Sequence, residues 1–212
     1  MWRFNYAPGA ISLAPHIILN ELNINYEPIV VKVADNLTRN YATAEFLDIN
    51  PCGLVPVLQT EKFILTESVA ISLYLIEQFP QPELSQIKDS FEYARVLEWL
   101  YWLATDAHRV ISTYLRPEHL TNDTSTTQIL RNFARSQIYL LAEHIEWRLS
   151  QDAKNRMSFL LVDIFLFVYF RLFQSVDVNM SRYRMWTAIV GKTRTCTAVM
   201  RTLIVEGVDI KI

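Results

Sequence analysis

The rhythm of apolar positions changes near residue 80. Before it, short apolar runs are separated by turn-forming residues; after it, apolar residues recur every three or four positions. Residues 2–7 form a short aromatic run stopped by Pro8-Gly9, which reads as a strand and a turn. Residues 12–23 read as a helix, with Ser12 as N-cap and Pro15 in the first turn, where a missing N–H is harmless. Residues 27–33, with Ile29-Val30-Val31 and Val33, read as a second strand. Strand, helix, strand over this length is a βαβ unit, so the two strands are expected to run parallel. A polar stretch over 35–43 leads to a short helix at 44–47 and a turn at Asn50-Pro51-Cys52-Gly53. Residues 55–58 and 63–65 then read as a hairpin, although Pro56 cannot donate to a sheet ladder, so it marks an edge strand or a cis bond.

The next helix covers 67–78, with Val69, Ile71, Leu73, Leu75 and Ile76 on its apolar side. Phe79-Pro80-Gln81-Pro82 ends it and is the clearest linker, which puts one domain at 1–80 and a second at 88–212. Every later element has helical period: 91–114, 126–150, 159–175, 182–190 and 196–205. The stretch 159–173 is nearly all apolar, but Asp163 and Arg171 interrupt it and it is too short to span a bilayer. A helix apolar all round belongs in the middle of a bundle. The fold class read from the residues is therefore an α/β domain, βαβ-ββα, followed by an all-α domain.

Composition narrows the function without naming it. A chain that is 51% hydrophobic with only four glycines suits packed helices rather than a turn-rich sandwich. A net charge of −2 with scattered basic residues gives no footprint for nucleic acid. Met1-Trp2-Arg3-Phe4-Asn5-Tyr6 does not open a signal peptide. Cys52 and Cys196 form no CxxC pair, and with four scattered histidines no metal is expected; a reducing cytoplasm fits best.

Three motifs, in order, carry more: Tyr6-Ala7-Pro8-Gly9-Ala10-Ile11-Ser12-Leu13-Ala14-Pro15-His16, Asn50-Pro51-Cys52-Gly53-Leu54-Val55-Pro56-Val57-Leu58, and Leu65-Thr66-Glu67-Ser68-Val69-Ala70-Ile71. With Glu98-Trp99-Leu100 through His108, they make the chain resemble the cytosolic glutathione transferase family, in particular its bacterial beta class. The resemblance runs along the whole chain and is strongest over 4–80. It implies a thioredoxin-like N-terminal domain, glutathione as co-substrate, a hydrophobic small molecule as second substrate, and a homodimer in the cytoplasm with no nucleic-acid or membrane partner. It further implies a cis bond before Pro56, with the N–H and C=O of Val55 pairing glutathione as an added strand would. Glu67 would meet the γ-glutamyl ammonium, and Ser68, at a helix N-terminus, the carboxylate. The plain alternatives are an edge strand at Val55-Pro56 and a helix capped by Thr66 with Glu67 complementing the dipole.

The departures concern the reacting end. Ile11 stands where the beta class carries a cysteine, so a mixed disulfide with glutathione is not expected. Ionising the glutathione thiol then falls to Ser12, Tyr6 or His108, against readings of Ser12 as N-cap, Tyr6 as core and His108 as a core histidine sharing a face with Ala104 and Leu115. His16 reads as structural. Walls for an electrophile are expected from Ile11, Trp102, Tyr114 and Leu115. Asp163 lacks the Ser or Thr three residues before it, Leu160 standing there, unless Ser158 compensates. Near Asp35 only Lys32 or Arg39 could hold the glycine carboxylate. The competing functions are a conjugating enzyme, a non-catalytic module for protein interaction or ligand binding, and a redox protein using Cys52.

Overall fold

In the computed structural model, which describes residues 1–31, 43–81, 84, 89–154 and 160–210, the chain divides into two compact units. One is Met1–Ser85 with Arg194–Ile210; the other is Gln86–Thr193. The last helix thus groups with the first 85 residues and not with the helices that precede it.

In the first unit, β1 (Trp2–Tyr6), α1 (Leu13–Glu21) and β2 (Tyr26–Val30) form the βαβ unit, and β2 runs parallel to β1. After α2 (Ala44–Ile49), whose first turn is capped by the Thr43 hydroxyl, come β3 (Val57–Gln59), β4 (Ile64–Thr66) and α3 (Ser68–Gln78). The sheet order is β2-β1-β3-β4, with β3 antiparallel to both neighbours. This removes the edge-strand reading of Val55-Pro56. Strand β3 lies inside the sheet and starts one residue after the proline, so every N–H it must supply comes from a residue that has one. Phe4, Leu13, Ile17, Ile18, Val57, Leu58, Ile71 and Leu75 fill the core. α9 (Thr197–Glu206) packs on α1.

The second unit holds α4 (Ser90–Trp102), α5 (His108–Leu115), α6 (Thr124–Lys154), α7 (Leu160–Gln174) and α8 (Arg184–Arg194). Asp89 caps α4, its carboxylate accepting the Phe91 and Glu92 N–H groups at 2.9 Å each. Glu146 does the same for α8, accepting from Met185 at 2.7 Å and Trp186 at 3.0 Å. α7 is the expected central helix, with eleven buried residues between Leu161 and Phe173. The single helix expected over 91–114 is divided: Leu103–Ala107 forms a π turn between α4 and α5. Among the described residues, no helix is long and apolar enough to cross a membrane.

Candidate functional site

The first unit gathers three of the motifs at one end of its sheet. The loop before β3 is shaped by Asn50, whose side chain donates to Leu54 O at 2.7 Å and accepts the Cys52 N–H at 3.2 Å. Gly53 takes φ 66°, a conformation that needs no Cβ. The Val55–Pro56 peptide is cis. Among the described residues, neither the N–H nor the C=O of Val55 has a hydrogen-bond partner. Such groups are ordinarily paired, so a half-buried, unpaired backbone edge suits an incoming extended peptide.

Glu67 and Ser68 open α3. The N-cap is Glu67 and not Thr66, which ends β4, and the Glu67 side chain makes no capping bond. Glu67 sits at φ 69°, ψ 120°, a region that side-chain-bearing residues avoid. Its carboxylate is exposed and has no cation partner among the described residues. Ser68 is buried, 7% exposed, and its hydroxyl reaches toward the Ile11 carbonyl at 3.5 Å. The site therefore sets an exposed anion beside the N–H groups of a helix start that no side chain of its N-cap residue caps, which matches the zwitterionic end of an α-amino acid.

The two hydroxyl candidates fare differently from the expectation. Ser12 occupies the N-cap position of α1 but makes no capping bond. Its hydroxyl donates to Ala7 O at 3.2 Å and accepts the Ala7 N–H at 3.3 Å, at zero exposure. Gly9, at φ 67°, turns the chain back so that residue 7 meets residue 12. With both functions used inside the loop, Ser12 closes a turn rather than presenting a donor. Tyr6 is 3% exposed, stacked on Phe4 and set 4.6 Å from the His16 ring. Burial, then the nearby Glu206 carboxylate, push its hydroxyl pKa up, the wrong direction for a group meant to share a proton with a thiol.

His16, read from the sequence as structural, has a partner that was not foreseen. Nδ1 of His16 lies 2.6 Å from Oε1 of Glu206 on α9, both side chains fully buried. The other oxygen of Glu206 accepts the Gly9 N–H at 2.7 Å. The sequence signal was a carboxylate following Ile204-Val205 on an otherwise apolar helix end.

In the helical unit, His108 begins α5 directly after the π turn. Its Nδ1 is buried and has no partner among the described residues, and burial lowers the imidazole pKa, keeping it neutral near pH 7. Trp102 is half-buried against Trp99 and His144, while Tyr114 is half-buried and Leu115 exposed. Cys52 is exposed in its turn and Cys196 is half-buried, and neither is in a disulfide. Lys32, Asp35, Arg39 and Ser158 lie outside the described residues.

A thioredoxin-like sheet unit followed in the chain by a helical unit is the glutathione transferase fold, and the comparisons agree. The family described as glutathione S-transferase, N-terminal domain, matches residues 13–83. Glutathione S-transferase GstA of Escherichia coli O157:H7 is 26% identical over 204 residues, covering 95% of this chain and 97% of that protein. A glutathione transferase homologue from Sulfitobacter, solved with bound glutathione, superposes with a TM-score of 0.86 at 24% identity over 98% of both chains. A beta-class enzyme from Sphingomonas chungbukensis gives 0.76 at 27% identity, over 97% of this chain and 98% of that one. The chain is thus similar to glutathione S-transferases, over residues 13–83 by the family match and over nearly its whole length by these relatives.

Proposed function

We propose that this protein binds glutathione at Val55, Pro56, Glu67 and Ser68 and conjugates it to hydrophobic electrophiles in the cytoplasm. The carrying observation is the start of α3, where the exposed Glu67 carboxylate stands beside the buried Ser68 and the uncapped helix N-terminus. Glu67 pairs the γ-glutamyl ammonium, the Ser68 N–H and hydroxyl hold the adjoining carboxylate, and the Val55 backbone takes the cysteinyl residue. In conjugation the glutathione sulphur forms a bond to carbon as the leaving group departs with the electron pair, and the thiol proton passes to a base. We assign that base to His108, whose neutral imidazole has a lone pair to offer. Ser12 and Tyr6, both turned inward, are left with structural roles.

The likeness to beta-class enzymes supports a beta-type assignment with Ile11 in place of the class cysteine. A homodimer accords with α6, where Ile129, Phe133, Leu140 and Trp147 recur at helical spacing and are all exposed. Light scattering on the intact chain and on Phe133→Lys tests that state.

A second reading is favoured by Ile11 and the two closed hydroxyls: a glutathione-binding module without turnover. Retention on immobilised glutathione, followed by assay with a chlorinated nitrobenzene, separates the readings. Retention with turnover supports the enzyme, retention alone the module, and neither result removes glutathione from the account.

A further inference from the structure

A buried hydroxyl in the helical unit bears on how His108 is held. Tyr169, on α7, has no exposed surface, and its hydroxyl donates to the Leu103 carbonyl oxygen at 2.5 Å. Burial also drives the phenol's pKa upward, so it stays protonated and able to donate near neutral pH. Its acceptor is not an ordinary helix carbonyl. Leu103 opens the π turn, and the same oxygen accepts the N–H of His108 five residues on. One carbonyl, using two lone pairs, therefore joins the Tyr169 hydroxyl to the His108 backbone. The rings meet as well, edge to face, with centroids 6.5 Å apart at 87°.

A histidine ring is ordinarily oriented by a hydrogen bond at the nitrogen that does not react. Nδ1 of His108 is buried without such a bond among the described residues, so the ring depends on its backbone and its packing. Both lead to Tyr169. A π turn is also an uncommon register that persists where something inserts into the helical ladder, and here the insertion is the phenol on the opening carbonyl. In an α register the Leu103 oxygen would pair with the Ala107 N–H, and His108 would shift to the Ala104 carbonyl, carrying its ring with it.

We propose that Tyr169 is the positioning residue for His108, fixing the π turn through the Leu103 carbonyl and the imidazole through the edge contact. Its effect on turnover rests on the assignment of His108 as base; the positioning itself does not.

The test is Tyr169→Phe in the full chain, which keeps the ring and removes the bond. The expected result is a shift of the His108 ring signals in the NMR spectrum and faster exchange of its amide, by roughly five- to tenfold, the range one hydrogen bond accounts for. Conjugation kcat is expected to fall by a similar factor with glutathione KM unchanged. Phe173→Leu, a core loss on the same helix against Trp186, is the control and leaves the His108 signals in place. Unmoved His108 signals in Tyr169→Phe overturn the proposal. Moved signals with unchanged kcat leave the positioning intact and remove His108 from the reaction. Should Tyr169→Phe not fold, amide exchange in the wild-type chain decides: a His108 N–H no better protected than that of Arg109 overturns the proposal.

Discussion

Nδ1 of His16 and Oε1 of Glu206 approach to 2.6 Å in a fully buried pair that joins the first helix of the chain to the last. A carboxylate sealed from water is tolerated only where its oxygens are bonded, and Glu206 uses one on His16 and the other on the Gly9 N–H. Removing it takes a carboxylate acceptor from two buried groups, the Gly9 N–H and the His16 ring. Glu206→Ala is expected to lower stability by about 3 kcal/mol, the scale for breaking a buried pair. Replacing both partners by apolar residues, His16→Phe with Glu206→Leu, is expected to recover only part, because the Gly9 N–H still loses the carboxylate that accepts it. Urea unfolding of the three proteins checks this, and full recovery in the double variant would remove Gly9 from the account.

Ser12 and Tyr6 test whether a polar group beside a ligand loop is chemical or structural. Ser12→Ala leaves the buried Ala7 N–H without its acceptor, while the Ala7 C=O keeps the Ala10 N–H, and is expected to cost about 2 kcal/mol. Tyr6→Phe keeps the stacking on Phe4 and is expected to cost under about 1 kcal/mol. Neither is expected to change conjugation per folded molecule by more than about twofold, a factor well under that of a true acid–base group. A hundredfold loss in either variant, with its melting temperature accounted for, would return that hydroxyl to the reaction.

The outcome at Ser12 shows where the sequence was legible. Periodicity exposed β1, α1 and β2, and the parallel pairing followed because the connection is helical. Pro56 marked the start of β3, but a proline alone could not tell an edge strand from an interior strand that begins after it. Ser12 looked like an N-cap because capping is a local rule, whereas its true partner is set by the reversal at Gly9. Glu206 stands 190 residues from His16, beyond any local pattern. The π turn hid for the opposite reason: Leu103 and Ala107 are both buried and spaced as in an ordinary helix, so one extra residue left no trace in the apolar rhythm.

Glu67 combines a strained backbone with the proposed contact to the ligand's ammonium, and two substitutions separate them. At φ 69° a residue with a Cβ costs on the order of 1–3 kcal/mol, which glycine does not incur. Glu67→Gly is therefore expected to raise stability by up to about 1 kcal/mol once glycine's greater unfolded-chain freedom is offset. Glu67→Gln keeps the strain and loses only the charge. Both are expected to weaken glutathione binding roughly tenfold or more by removing the ammonium's partner. Calorimetry on the two variants should show equal losses of affinity, with a raised melting temperature in Glu67→Gly and little change in Glu67→Gln. Affinity retained in Glu67→Gln would mean the carboxylate does not meet the ligand.

Asp163 gives the helical unit a pH dependence with a definite sign. It lies in the first turn of α7 on the wall of a cavity of ≈ 190 Å³, with Trp99, Asp152 and Lys192 also on the lining. Burial raises its carboxyl pKa to about 6 from 3.8, and Lys192 only partly opposes the shift. Because the folded pKa is the higher one, the native state binds more protons than the unfolded chain between these values. The group's contribution is complete below about pH 4 and is lost as pH rises through about 6. Asp163→Asn removes the charge and is expected to gain about 2 kcal/mol at pH 8, the helix dipole taking back part of the full linkage value. At pH 4 the same substitution is expected to change little. Urea unfolding at both pH values decides: a gain equal at the two, or a loss at pH 8, would show that the ionised carboxylate has a partner that stabilises the start of α7.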